Sequence, residues 1–219
     1  MAWHAIKWQD MRRSARCSRT PNWLLGAYLC VWAWLGISPL YREDWLLENV
    51  LVLIALPLFI RSARHWRFSD ASYVCLFVFF VLHALGAHYT YSAVPYDAWA
   101  RALTGHSLND AVGWDRNHFD RLVHFSYGLL VLPASVELFD RVAPPRGLWR
   151  TLLPVLFIMS HSAIYELIEW GAATLFGGDL GQAYLGTQGD VWDAQKDTAM
   201  ATVGAVTSMT VMRLRERRS

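Results

Sequence analysis

The chain of 219 residues is 54% hydrophobic and only 17% charged, with a formal net charge of +2. Soluble domains carry charge on about a quarter of their residues. This deficit of charge, together with long apolar runs, indicates that lipid is the main solvent. The three cysteines lie far apart and form no CxxC pair, which supports neither a disulfide framework nor a thiolate metal site.

Six apolar stretches predict an all-α fold, a six-helix transmembrane bundle, because a membrane-spanning helix needs about 20 mostly apolar residues. The second stretch is short, with Glu48 near its start and Pro57 near its end. In chain order the predicted spans are 23–40, 45–60, 71–89, 121–138, 152–171 and 194–212. The chain thus divides into a basic N-terminal segment (1–22), a single membrane domain (23–212) and a basic tail (213–219).

The distribution of basic residues predicts how the bundle is oriented. Fifteen of the 20 Lys and Arg residues fall in the N-terminal segment, in the loops after the second and fourth spans, and in the tail. Cytoplasmic loops carry the excess of positive charge, so the N- and C-termini are both predicted to be cytoplasmic. Topology therefore accounts for the basic residues, and no nucleic-acid signature is present. On the predicted outer side lie Arg42, Arg101, Arg116, Arg121 and Lys196.

The N-terminal segment is not expected to be a cleaved signal, because no small-residue cleavage site follows the first apolar run. Part of it could lie on the membrane surface as a helix, with Lys7 toward the lipid head groups. The apolar face of that helix would be formed by Trp3, Ile6, Trp8 and Met11. The alternative is a loose basic tail. Membrane lipids are the expected partners of the chain.

The acidic residues show the opposite asymmetry. Thirteen of the 18 Asp and Glu residues fall in predicted outer loops or outer half-helices. Orientation does not require this pattern, because acidic residues contribute little to topology. Ionisable groups are costly in hydrocarbon, so they face the bundle interior, pair with each other or line a wet cavity. The outer acids therefore predict a functional site.

Helical spacing sorts these residues into three groups. Asp120 and His124 are i, i+4, and Glu166 and Glu169 are i, i+3, so each pair shares one face of its helix. The third group is a single stripe at the entry to the last span: Asp190, Asp193 and Asp197. At about 1.5 Å per residue, four residues from four helices reach one depth. They are His88, His124, Glu169 and Asp193.

A set of His, Asp and Glu without Cys suits Zn²⁺, Mn²⁺ or Fe²⁺, and carboxylates alone suit Mg²⁺ or Ca²⁺. The predicted ligands of a divalent metal are His88, His124, Asp120, Asp190 and Asp193. The predicted catalytic acid and base residues are Glu166, Glu169 and Asp197. Clustered carboxylates need a proton or a positive partner, which Arg121, Lys196, a protonated His or a bound cation could supply.

Structural interpretations stay open for several of these residues. Asp190 and Asp193 could cap the last helix. Glu166 and Glu169 could form bridges to Arg121 or Lys196. A lone His near a helix end is usually a hydrogen-bonded structural residue, and this is the expectation for His83, His106 and His118. The deeper His161 could bond to the backbone of a neighbouring helix.

Two connections stand out. The stretch 90–119 is long for a helix connection and predicts a lid or a substrate-facing segment, with an amphipathic interfacial helix at 96–104 as an alternative or an addition. The segment 176–181, Phe-Gly-Gly-Asp-Leu-Gly, predicts a flexible turn between the fifth and sixth spans.

Four motifs resemble the YjdF family of bacterial inner-membrane proteins. They are His-Tyr-Thr-Tyr-Ser-Ala-Val-Pro at 88–95, Asp-Arg-Leu-Val-His-Phe at 120–125, Tyr-Glu-Leu-Ile-Glu-Trp at 165–170, and Gly-Thr-Gln-Gly-Asp-Val-Trp-Asp-Ala-Gln-Lys-Asp at 186–197. The resemblance covers about residues 71–212 and implies a multi-pass protein of the bacterial cytoplasmic membrane. That family is of unknown function, so it supports the topology and the choice of residues rather than an activity.

A more distant similarity is to VanZ-like membrane proteins. Their pattern is an acid-base dipeptide and a His opening one helix, a Glu late in the next, and an Asp near the start of a last helix that contains Gly. The matching positions are Asp120-Arg121 with His124, Glu166 or Glu169, and Asp193 or Asp197 with Gly204. Some members of that group are tied to resistance against glycopeptide antibiotics, which implies the cell envelope.

Three hypotheses for function follow. The first is a metal-dependent enzyme that acts on a lipid or lipid-linked envelope molecule from the outer leaflet, where the metal polarises a phosphoryl or ester oxygen and activates water. The second is a proton or cation transporter or channel, which needs polar residues through to the cytoplasmic half, where Glu137 is one of few. The third is a non-catalytic structural or assembly factor, in which the cluster only holds helices together.

Overall fold

The computed structural model describes residues 18–63 and 66–218, and these form helices and no strand. The long helices are α1 (Thr20–Leu35), α2 (Arg42–Ser62), α3 (Asp70–His88), α6 (Phe119–Val142), α7 (Trp149–Phe176) and α9 (Asp193–Arg218). The short ones are α4 (Tyr96–Thr104), α5 (Leu108–Val112) and α8 (Gly178–Leu185). The all-α prediction is confirmed for these residues. The surface helix predicted around Trp3 and Met11 lies outside them.

Four of the predicted spans form helices that are long and apolar enough to cross a membrane, namely α2, α3, α6 and α7. Large apolar side chains such as Leu53 and Leu167 stay more than half exposed on them, as suits a surface in contact with lipid. The other two predicted spans correspond to α1, which has 16 residues, and to α9, which begins with charged residues. By length and composition these two are not among the membrane-crossing helices of the described chain, so the arrangement with six spans stays a prediction.

Helix α1 ends at Leu35, five residues before the predicted boundary. Pro39 explains the early end, because a proline has no backbone N–H to donate to the carbonyl oxygen four residues earlier, here that of Leu35, and its ring clashes with that carbonyl in a helix. The backbone N–H of Leu40 then donates to the carbonyl oxygen of His88 at 2.8 Å, which ties this connection to the end of α3.

The prediction of a flexible turn at 176–181 is wrong. Gly177 and Gly178 both have positive φ, a conformation that suits glycine, and they reverse the chain so that α8 begins at Gly178. A Cβ on Gly181 would lie 2.7 Å from the carbonyl oxygen of Ala173. The glycine therefore lets α8 pack back against the end of α7.

Helices α6 and α9 cross at two glycines. A Cβ on Gly128 would lie 1.9 Å from the carbonyl oxygen of Ala201, and a Cβ on Gly204 would lie 2.1 Å from that of Phe125. Small residues of this kind let helix backbones approach closely in membranes. His124 lies one turn before Gly128, and Asp197 lies one turn before Ala201. The crossing therefore holds these two side chains next to each other.

The long connection 90–119 is ordered around the carboxylate of Asp97. It accepts from the hydroxyl of Ser107 at 2.9 Å, from the backbone N–H of Asn109 at 2.9 Å and from Nε of Arg101 at 3.0 Å. The Asn109 N–H and the Arg101 guanidinium lower the pKa of Asp97 to about 2. The helix predicted at 96–104 is confirmed as α4, and the role of the connection as a lid stays a prediction.

Candidate functional site

A compact cluster of ionisable side chains lies between α6, α7 and α9. Asp120 and His124 share one face of α6, as their spacing predicted, and Asp197 approaches them from α9. One ligand atom of each of these three residues lies within 4.8 Å of the other two. From α7, Oε1 of Glu166 lies 3.3 Å from Nε2 of His124, and Oδ1 of Asp120 lies 3.6 Å from the same nitrogen. Four of the eight predicted site residues are thus brought together.

The other ring nitrogen of His124, Nδ1, lies 3.3 Å from the hydroxyl of Ser162 on α7. This contact orients the imidazole so that Nε2 faces the carboxylates. Metal-binding histidines commonly use their second nitrogen in this way. Sequence reasoning did not single out Ser162, although it lies four residues before Glu166 and therefore on the same face of α7.

Two carboxylate oxygens of the cluster have no hydrogen-bond partner among the described residues. They are Oδ1 of Asp197, which lies 4.0 Å from Nε of Arg121, and Oε1 of Glu166, which lies 3.3 Å from Nε2 of His124. The side chain of Asp197 is only 2% exposed. Buried polar atoms are nearly always hydrogen-bonded, and an orphaned one calls for an explanation such as an ion. The converging atoms of Asp120, His124 and Asp197 could therefore hold a metal ion.

Two arginines lie beside the cluster and pair with the acids that open α9. Nη2 of Arg121 lies 2.5 Å from Asp190 and 3.1 Å from Asp193, and Nη1 of Arg116 lies 2.9 Å from Asp193. Nζ of Lys196 lies 2.5 Å from Asp190. The hydrogen bonds from Lys196, from the Trp192 backbone N–H and from Arg121 hold the pKa of Asp190 below its usual value.

These ion pairs clarify two predictions. Arg121 and Lys196 do supply positive charge, but to Asp190 and Asp193 rather than to Glu166, which contacts His124 instead. Asp190 and Asp193 pair with arginines at 2.5–3.1 Å, whereas Asp197 joins the cluster with His124 and lies 4.0 Å from Nε of Arg121. The role of Asp190 and Asp193 as metal ligands stays a prediction. Sequence reasoning placed Arg116 only among the basic residues of the predicted outer side, and nothing in its spacing indicated that it pairs with Asp193.

Sequence reasoning missed a second acidic group, on α2. Asp44 is fully buried and accepts from the hydroxyl of Thr90. Glu48, 3% exposed, accepts from the hydroxyl of Tyr165 at 2.8 Å. The ring of Tyr165 in turn packs edge-on against His124, with centroids 6.1 Å apart. The two acidic groups are therefore adjacent, and the i, i+4 spacing of Asp44 and Glu48 in an apolar helix was the available signal.

Three other predicted positions lie outside the cluster. Nδ1 of His88 is hydrogen-bonded at 2.7 Å to the carbonyl oxygen of Leu35, the last residue of α1, where helix carbonyls lack partners within their own helix. The structure therefore does not bring His88 to the converging ligand atoms. His161 pairs with the hydroxyl of Tyr127 at 2.8 Å rather than with a helix backbone. Glu169, half-buried, borders the cluster, because its side chain is hydrogen-bonded to Glu166 and to Tyr165, and its catalytic role stays a prediction.

His83 matches its structural interpretation. It is buried, its Nε2 lies 3.2 Å from the carbonyl oxygen of Glu48, and its Nδ1 pairs with the hydroxyl of Tyr91. Outside the predicted spans, His118 packs against Trp114. Partial burial and the neighbouring arginines Arg121 and Arg116 lower the pKa of His118. These contacts give both histidines local roles.

A cavity of about 450 Å³ opens from the cluster into the bundle between α2, α3, α6 and α7. Asp120, His124, Ser162 and Tyr165 line one end of it. Beyond them the walls are mostly apolar, with residues that include Leu51, Phe79, Val131, Leu138 and Phe157. The volume lies within the range of about 300–1,000 Å³ that is typical of ligand pockets. The cluster is therefore the polar end of an apolar cavity.

Comparison with known proteins gives two matches. The family model described as "Predicted membrane protein (DUF2238)" matches residues 20–218. The chain is 34% identical over 175 residues to the inner membrane protein YjdF of Escherichia coli (strain K12), covering 80% of this chain and 79% of that protein. No solved structure matches. With the four apolar helices, these matches confirm the resemblance to the YjdF family and a multi-pass location in the bacterial inner membrane, whereas the likeness to VanZ-like proteins stays a prediction.

Proposed function

Because the chain belongs to the DUF2238 family of predicted membrane proteins, we propose that it is an inner-membrane enzyme with six spans. In this proposal the cluster of Asp120, His124, Glu166 and Asp197 binds a divalent metal at the outer side of the membrane. The bound metal serves the hydrolysis of a lipid or lipid-linked envelope molecule. The observation that carries the proposal is the convergence of one ligand atom each from Asp120, His124 and Asp197, all within 4.8 Å of one another.

The distribution of charge supports the outer position of the site. Arg141 lies at the end of α6, Arg150 lies at the start of α7, and four arginines lie within 213–218 at the end of α9, as is typical of cytoplasmic segments. Asp120 and Asp197 lie at the opposite ends of α6 and α9. Six spans also require that α1 and α9 cross the membrane with the help of their neighbours. For α9 the close packing against α6 at two glycines supports this.

The donor set supports a metal with mixed nitrogen and oxygen ligands. Nε2 of His124 and one oxygen each from Asp120 and Asp197 supply three ligands, which is the number that catalytic Zn²⁺ sites use while keeping a position for water. Mn²⁺ and Fe²⁺ accept the same donors. Glu166, in contact with His124, is either a fourth ligand or the base that accepts a proton from the water.

The chemistry is a hydrolysis with Glu166 as base. A metal held by Asp120, His124 and Asp197 would lower the pKa of a bound water, and Glu166 would accept the proton of the water that attacks the phosphorus or the carbonyl carbon of the substrate. The bond from that atom to the leaving oxygen breaks, and the leaving oxygen takes up the proton. The side-chain hydroxyl of Ser162 holds the His124 ring in place throughout.

The geometry favours an enzyme over a conduit. Toward the other end of α6, Glu137 accepts hydrogen bonds from the hydroxyls of Ser69 and Ser72 at 2.6 and 2.7 Å. Glu137 does not line the cavity that opens from the cluster, and beyond the cluster the walls of that cavity are mostly apolar. A path for protons or cations needs polar groups along its length, and this stretch provides few.

The test is the metal content of the detergent-purified protein, measured by inductively coupled plasma mass spectrometry. Near-stoichiometric metal is expected in the wild type and its loss in His124→Ala and Asp197→Asn. The matched control is His106→Ala, an exposed histidine in the outer connection, which should keep the metal. Thermal unfolding of each variant verifies that it is folded. A wild type that binds no Zn²⁺, Mn²⁺, Fe²⁺ or Mg²⁺ even after reconstitution contradicts the proposal.

A further inference from the structure

We infer that the substrate of this site carries one long hydrocarbon tail, which lies in the cavity between α2, α3, α6 and α7 with its polar head at Asp120 and His124. The inference rests on the proposed function of the cluster and adds to it the class of substrate, a single-tailed lipid. Its first support is continuity, because Asp120 and His124 line the same cavity as Val131 and Leu138.

The shape of the cavity fits a chain rather than a compact molecule. Asp120 and Leu138 both line it, and on α6 they are about 27 Å apart at a rise of 1.5 Å per residue. One leaflet of a bilayer has a hydrocarbon depth of about 15 Å. A volume of about 450 Å³ spread over that length is a slot, and a single extended tail fills a slot.

The distribution of polar and apolar walls matches an amphiphile. The ionisable residues of the lining gather at the end of α6 that bears Asp120, apart from His161, which is paired with the hydroxyl of Tyr127. The opposite end is enclosed by Phe68, Leu76 and Leu138. Protein interiors hold few voids larger than a water molecule, so a slot of this size calls for an occupant, and in a membrane the available occupant is hydrocarbon.

The cavity is also reachable from the bilayer. Leu58 of α2 lines the cavity and is 61% exposed, so the slot extends to the lipid-facing surface of the bundle. Helix α2 packs chiefly on α3 and α8, which leaves the space between α2, α6 and α7 to the cavity. A tail can therefore enter sideways from the membrane, and the head need not cross the bundle.

The test uses photo-crosslinking with hexadecyl phosphate that carries a diazirine at the far end of its chain. The purified protein is irradiated with the probe, and the labelled peptides are mapped by mass spectrometry. Label is expected on α6 near Val131 and Leu138. Octyl phosphate with the same group should label α6 nearer to Tyr127, because a shorter tail reaches less far from the cluster.

Two variants narrow the slot at different places. Ala134→Phe fills it at a buried position, and Ala55→Phe does so at a half-buried position of α2 that tolerates a larger side chain more easily. Each should reduce labelling of α6 about tenfold, because a packed site resists added volume. The control is Leu122→Phe, on the same helix but outside the lining and half exposed, which should label as the wild type does.

Metal content of the same samples separates the inference from the proposed function. Metal retained in Ala55→Phe with labelling lost supports a tail site beside an intact metal site. Labelling at Leu138 in a protein that binds no metal supports the tail site and overturns the metal-dependent function. Labelling that is spread over the outer faces of the helices, equally in the wild type and both narrowed variants, overturns the inference.

Discussion

The crossing of α6 and α9 at Gly128 gives a prediction for both stability and the site. A Cβ at this position would lie 1.9 Å from the carbonyl oxygen of Ala201, whereas ordinary contacts begin at 3.4 Å. Gly128→Ala therefore requires the helices to separate by about 1.5 Å. Overpacking of this kind costs about 1–3 kcal/mol. The gain in helix propensity from Gly to Ala is about 1 kcal/mol, so the variant should be less stable by about 1 kcal/mol and by at most about 2 kcal/mol.

The same displacement should disturb the cluster, because His124 and Asp197 each lie one turn from this crossing. Metal ligands bond at about 2.0–2.2 Å, so a separation of about 1.5 Å weakens a site shared between α6 and α9. The assay combines thermal unfolding in detergent, followed by tryptophan fluorescence, with metal content after dialysis. Gly128→Ala should lose both stability and bound metal.

Gly171→Ala is the matched control, since a Cβ on this glycine of α7 meets nothing within 4 Å. It should be as stable as the wild type or gain up to about 1 kcal/mol from helix propensity. If Gly128→Ala unfolds at the wild-type temperature and keeps its metal, α6 and α9 do not meet at this glycine, and the account of how the site is held together is refuted.

Two further predictions concern the charged residues outside the cluster. Arg121→Gln should lower the free energy of unfolding by about 1–3 kcal/mol, because Asp190 and Asp193 lose a charged donor. Arg101→Gln, at a side chain that is 56% exposed, should change the free energy of unfolding by no more than about 0.5–1 kcal/mol. Equal shifts of the unfolding temperature in the two variants contradict this difference. Because the pKa of Asp97 is lowered from 3.8 to about 2, its ionised carboxylate stabilises the 90–119 connection above pH 3.8, and this stabilisation is lost as the pH falls through about 2. Pepsin should therefore begin to cleave the connection of the wild type only toward the lower end of the range between pH 3.8 and pH 2. The rate at which pepsin cleaves Asp97→Asn should not change across this range. If pepsin cleaves the wild type equally fast at pH 3.8 and at pH 2, the prediction for Asp97 is contradicted.

The helices were largely predictable from the sequence because long apolar runs leave few alternatives in a membrane. What the pattern of apolar residues could not supply was local detail. The end of α1 at Leu35 depends on Pro39, and the start of α8 depends on two glycines at positive φ. Both signals are in the sequence. The apolar run up to residue 40 favoured a longer α1, and the three glycines in 176–181 favoured a flexible turn over the start of a helix.

The site was predictable in part for a similar reason. The pairing of Asp120 with His124 follows from spacing along one helix. The choice of Asp197 over Asp193 as the neighbour of His124 depends on how α9 is rotated about its axis, and the contacts at Gly128 and Gly204 set that rotation. The pairing of Arg116 with Asp193 joins residues far apart in the chain, and no local pattern marks it. Asp44 and Glu48 were detectable, since two acids one turn apart in an apolar helix are unusual.

The partnership of α6 and α9 also has a consequence for how the protein is made. In the proposed arrangement α9 leaves the ribosome after α6, and Asp193 at its start pairs with Arg116 and Arg121, which were synthesised some seventy residues earlier. Before α9 is made, Asp120 and His124 lack Asp197 as a neighbour. Packing of α9 against α6 therefore completes the cluster, so a chain interrupted before residue 193 would lack the assembled cluster.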